Sequence, residues 1–153
     1  MILRIVLAVA LTAALLAVAV PAMSLAGADR ADGAVDRQLR TLSAELETMV
    51  ATDDPTVGPG ARHVAELRLP ERTLTSAGRT RLRFYTREGV ALATWRVGDR
   101  ATSSTRLAGV PFGVDGGEFA IREPGIHRLV FGLRAQDGDP VLTVRRLGGG
   151  TDA

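Results

Sequence analysis

Residues 5–28 read IVLAVALTAALLAVAVPAMSLAGA, and residues 29–54 continue DRADGAVDRQLRTLSAELETMVATDD. The first run carries no charged side chain, and Thr12 and Ser24 are its only hydroxyls. A helix rising about 1.5 Å per residue covers about 36 Å over that run, enough to cross a hydrocarbon core of about 30 Å. Arg4 precedes it, while Asp29, Arg30, Asp32 and Asp36 follow it. The positive-inside preference therefore places the N-terminus in the cytoplasm and the rest of the chain outside, as a single-pass membrane protein.

The same run also fits a secretory signal. Residues 1–4 would be its n-region and residues 5–20 its h-region, with Ala26-Gly27-Ala28 as the small-residue pattern before a cut. A retained anchor is the expectation, because the run is longer than a usual h-region and the next segment continues the helical pattern. Secretion after cleavage near Ala28 is the alternative. Both put the remaining chain outside.

In residues 29–54 the apolar positions Val35, Leu39, Leu42, Leu46 and Met49 recur at 4-3-4-3 spacing, which lines them along one side of a helix. Asp54-Pro55 ends it, since a residue before proline is pushed out of the helical region. This stripe either packs on the chain's own β domain or faces a helix of a partner subunit. A helix that is lipid-facing in its first half and amphipathic in its second has the layout of a pilin stalk.

The organisation expected from this reading is an anchor (1–28), a stalk helix (29–54), a linker (55–61), a β-rich domain (62–147) and a disordered tail (148–153). With 153 residues the chain has room for one compact domain plus its appended helix. All 19 basic residues are Arg, and neither Cys nor Asn occurs. This excludes disulfides, thiolate chemistry and N-glycosylation. Six aromatic residues (four Phe, one Trp, one Tyr) serve the whole chain, which predicts an aliphatic core.

From residue 62 the pattern changes to alternation, the mark of strands with one buried face. Ala65, Leu67 and Leu69 share one side of residues 63–69. Leu82 and Phe84 point inward from residues 79–86, while Arg79, Arg81 and Arg83 point out. Glu88-Gly89 turns into residues 90–97, where Ala91, Ala93, Trp95 and Val97 form a face. Residues 118–122 lead through Glu123-Pro124-Gly125 into residues 126–134, and Asp137-Gly138-Asp139-Pro140 turns into residues 141–147. Six or seven short strands behind a long helix predict an α+β chain carrying an antiparallel β-sandwich or partly rolled sheet.

Motifs for catalysis are missing. His63 and His127 have no metal-ligand spacing, and Ser76, Ser103 and Ser104 lack a nucleophile elbow and read as loop residues. Asp137 and Asp139 lack the further acids of a calcium loop, and Gly113-Val114-Asp115-Gly116-Gly117 lacks the Lys-Ser/Thr of a phosphate cradle. No catalytic, metal or cofactor residue, no small-molecule substrate and no nucleic-acid partner is expected. The row Arg79, Arg81, Arg83 and Arg87 is a possible basic binding face. Its bland reading is a solvated strand face that deters edge pairing.

Met-Ile-Leu-Arg, then V-P-A-M (20–23), GARHVAELRLPERTLTSAG (60–78) and REPGIHRLVF (122–131), taken in this order, resemble an uncharacterised family of haloarchaeal membrane-anchored proteins. The resemblance implies an association with type IV pilus or secretion-like gene clusters and assigns no catalytic residue. The expected function is a non-enzymatic, membrane-anchored accessory or structural component of such a surface assembly. Its partners would be the lipid bilayer and neighbouring protein subunits. The alternative is a secreted or anchored β-sandwich that binds a ligand or acidic envelope component through its basic face.

Overall fold

In the computed structural model, which describes residues 2–58, 60–71, 80–113 and 117–148, a single helix α1 runs from Ile2–Thr52. Pro21 lies within it without ending it, although proline removes one helical donor. Thr12 Oγ1 donates back to the carbonyl of Ala8 at 2.8 Å, so that hydroxyl is satisfied inside the helix. The last turn closes through Asp53 N–H to the carbonyl of Met49 at 3.0 Å. Asp54-Pro55 then diverts the chain.

Seven strands follow: β1 (Arg62–Leu69), β2 (Thr80–Arg87), β3 (Val90–Val97), β4 (Ser103–Ala108), β5 (Glu118–Ile121), β6 (Gly125–Gln136) and β7 (Asp139–Arg146). They form a three-stranded sheet ordered β1-β6-β7 and a four-stranded sheet ordered β4-β3-β2-β5, with all neighbours antiparallel. The expected α+β layout, a long helix and then two antiparallel sheets, is what the chain adopts. The alternating faces fall as the sequence indicates, with Leu82, Phe84, Ala91, Ala93, Trp95 and Val97 buried.

Two hairpins are made by two-residue turns at positive φ: Glu88 (54°) with Gly89 (76°), and Asp137 (53°) with Gly138 (94°). Such turns match the right-handed twist of the strands they join. The second is shorter than the four-residue turn expected. Pro140 already belongs to edge strand β7, where it stands opposite Ala135. Ser103 and Ser104, expected in a loop, instead open β4 and pair with Trp95 and Thr94. Their small polar side chains hide a strand that is half-exposed at the sheet edge. Ser76 and the 149–153 part of the tail lie outside the described residues.

The sheets meet face to face, and the C-terminal half of α1 closes one open side between edge strands β1 and β4. Gln38 exchanges two hydrogen bonds with the backbone of Arg68: its Nε2 donates to the carbonyl at 3.1 Å, and its Oε1 accepts from the N–H at 2.7 Å. Ser43 Oγ donates to the carbonyl of Arg106 at 2.9 Å. The helix thereby satisfies backbone groups on both edges that would otherwise stay open.

The core is aliphatic where α1 enters it. At its centre, however, it is aromatic: Phe84 packs edge-on against Phe131 of the opposite sheet with centroids 5.9 Å apart, and also touches Phe112 and Phe119. The four phenylalanines of the chain are concentrated at this point. The linker is also docked, since Ala135 N–H donates to Thr56 and Leu133 N–H to Ala61. Gly60 passes so close that a Cβ there would lie 2.5 Å from the carbonyl oxygen of Leu133.

Candidate functional site

The two halves of α1 have opposite environments. Leu3, Leu7, Leu11, Leu15 and Val18 are all more than half exposed, and an 18-residue window of the helix reaches a mean hydropathy of 2.6 with none of it buried. The helix is long and apolar enough to cross a membrane. From Ala28 onward one side is buried: Ala31, Val35, Leu39, Leu42, Leu46 and Met49 join the core beneath β1, β3 and β4.

This settles which surface the stripe meets. Leu39 and Leu46 are 0% exposed, and the atoms covering them belong to this chain. Val35, Leu39, Leu42, Leu46 and Met49 are consequently unavailable as a partner face while the domain is folded. The physical reason is the open side of the sandwich, whose apolar interior would be wet without them.

Where the helix leaves its apolar stretch, two polar links fasten it. Trp95 Nε1 donates to Asp32 Oδ1 at 2.7 Å, and Arg100, in the β3–β4 turn, pairs with Asp29. The acids that follow the apolar run thus hold the β domain beside the emerging helix.

The expected basic row is divided by the fold. Arg79 lies outside the described residues. Arg83 pairs with Glu118 and Arg87 with Glu88, which leaves Arg81, among the described residues of the row, with no carboxylate partner there. Its cross-strand neighbour is Arg96, which the spacing of one strand could not reveal. These two line a groove of about 310 Å³ together with Arg83, Thr94, Gly98 and Thr102. Arg96 donates from Nε and Nη2 to Thr102 Oγ1 at 3.1 and 3.0 Å.

The histidines stand apart, at opposite ends of the β1–β6 pair. His63 meets Glu45 of the helix at 2.9 Å, and His127 Nε2 lies 2.8 Å from the carbonyl of Glu123. Among the described residues no group of three His, Cys, Asp or Glu side chains could hold a metal ion. Asp137 belongs to the β6–β7 turn and Asp139 begins β7. The centre of the 113–117 loop lies outside the described residues. Arg146 donates to Glu123 at 2.7 Å and holds that carboxyl below its ordinary value of 4.5, with a backbone hydrogen bond adding to the effect.

Fold and site together define a β-sandwich closed by the second half of one long helix, whose first half is an exposed apolar rod. The chain belongs to the family described as Domain of unknown function (DUF7311), whose model matches residues 2–147. No curated protein and no solved structure matches it.

Proposed function

We propose that the protein is a non-enzymatic, single-pass membrane component of a surface assembly, pilin-like in layout, with its N-terminus cytoplasmic and its β-sandwich outside. The observation that carries this reading is the division of α1. One uninterrupted helix is lipid-compatible on every side up to Leu25, then buried along one stripe from Ala28. Such a helix transmits the position of its membrane half to the head through packing, without a flexible joint. The basic N-flank and acidic C-flank of the apolar run support the orientation. The resemblance to haloarchaeal membrane-anchored proteins of pilus-like gene clusters supports the assembly.

Because the Val35–Met49 stripe is occupied within the chain, protein partners are to be sought along the apolar half of α1. Within a bilayer, helices associate through side-chain packing and interhelical hydrogen bonds. A photo-crosslinking residue at Leu11 or Leu15 in cells tests this. An adduct with a second membrane helix, from another copy or another subunit, is expected. Membrane-inserted protein that yields no protein adduct from either position would remove the assembly from the reading and leave the anchor.

A further inference from the structure

The contacts along α1 give each strand end a direction relative to the apolar rod. Asp32 meets Trp95, Gln38 meets Arg68, Ser43 meets Arg106 and Glu45 meets His63. The ends of β1 and β3 therefore face the rod, while the start of β1 and the end of β4 face away. Strand pairing carries this across both sheets: Thr80 stands opposite Val97, Ile121 opposite Leu82, and Gly125 opposite Leu69.

These directions assign the exposed charges to one pole or the other. On the rod-facing pole Arg81, Arg96 and Arg122 are exposed and have no carboxylate partner among the described residues, Arg100 and Arg146 are paired with Asp29 and Glu123, and Asp99 is an exposed acid of the β3–β4 turn. On the far pole Arg87 is paired with Glu88, Asp137 and Asp139 flank the β6–β7 turn, and Arg62, Arg134 and Arg145 line one groove.

We propose that the rod-facing pole is a seat for the anionic phospholipid headgroups of the bilayer that α1 crosses, centred on Arg81 and Arg96. The proposal rests on the anchoring part of the reading above and not on the assembly. Arg81 and Arg96 stand directly opposite each other on one sheet face, a like-charge pairing that is destabilising in isolation. A phosphate shared between them offsets that repulsion, and guanidinium groups suit it through bidentate hydrogen bonds. The position is right as well. Trp95 and Arg100 attach at Asp32 and Asp29, just beyond the apolar run, and headgroups occupy roughly the outer 5–8 Å of each leaflet. Ile126 (51% exposed) and Leu147 (40% exposed) lie on the same pole, as apolar residues that suit a membrane interface.

The chain has no cysteine, so Ala101→Cys in the exposed β3–β4 turn gives a single labelling site. The full chain carrying a fluorophore there is reconstituted into phosphatidylcholine vesicles, with or without phosphatidylglycerol, that contain a headgroup-attached quencher. Quenching should be stronger with phosphatidylglycerol and fall at about 0.5 M salt, where screening is short-ranged. Arg81→Gln with Arg96→Gln should return it to the phosphatidylcholine level, each change lowering the ratio of seated to lifted heads about fivefold. Co-flotation with the vesicles reports the anchor separately, and thermal melting reports the fold of the variant. Co-floating protein whose quenching ignores both phosphatidylglycerol and the double substitution would overturn the seat. Protein that fails to co-float would overturn the anchor, and the seat with it.

Discussion

The indole N–H of Trp95, on β3, donates to the carboxylate of Asp32 on α1 at 2.7 Å, in a partly buried site. Sixty-three residues separate the two in the chain, so this bond ties the head to the helix where the apolar run has just ended. Trp95→Phe keeps most of the apolar contact and removes the donor. It should cost about 1.5–3 kcal/mol, the usual net worth of a hydrogen bond to a charged acceptor. A double-mutant cycle with Asp32→Ala, read by thermal melting of the full chain, should return a coupling of about 0.5–3 kcal/mol. Additive effects would mean that the bond does not fasten the helix.

Gln38 acts as a one-residue strand against the edge of β1. Gln38→Ala removes both hydrogen bonds to Arg68 and should destabilise the domain by about 1–3 kcal/mol. The local readout is sharper than the global one. Hydrogen exchange at the Arg68 amide should accelerate more than that of Leu67, which faces β6.

The two halves of α1 should respond oppositely to the same change. Leu39→Ala opens a cavity in a fully buried site and should cost about 2–5 kcal/mol. Leu11→Ala, 61% exposed in the structure, should leave melting of the β domain unchanged. Equal effects at the two positions would contradict the division of the helix.

The Glu123–Arg146 pair should make a pH-dependent contribution. Because the folded carboxyl titrates below its ordinary value of 4.5, its stabilisation is fully present above that value and is lost as pH falls through the lowered one. NMR titration should show Arg146→Gln moving the Glu123 value upward. Its unchanged position would assign the shift to the backbone hydrogen bond instead.

How far the fold is legible in the sequence depends on the range of the signal. The apolar run, the 4-3-4-3 stripe, the strict alternation around Leu82 and Phe84 and the Glu88-Gly89 turn are local patterns, and each matches the element observed. What covers the stripe is not a local property. The same leucines can face a partner helix or the chain's own sheets, and only the open side between β1 and β4 decides. Strand β4 escaped because Ser103 and Ser104 sit half-exposed at an edge, where alternation between small polar side chains carries little contrast. Arg96 escaped because it joins Arg81 across a strand pair, and Arg83 is neutralised by Glu118 from a strand remote in sequence. Gln38 gave no signal, since a single amide on a helix flank reads as a solvated side chain.

The central claim is that α1 stays whole, with its apolar half in the bilayer and its amphipathic half in the domain core. The packed part begins at Ala28, so a cut there would leave the sandwich and its closing helix intact and simply release them. The most direct test is the N-terminal sequence of the mature protein from its native cells, taken together with membrane fractionation. The account expects chains that retain residues 5–28 and stay in the membrane pellet through an alkaline wash. A soluble product beginning at Asp29 would contradict it.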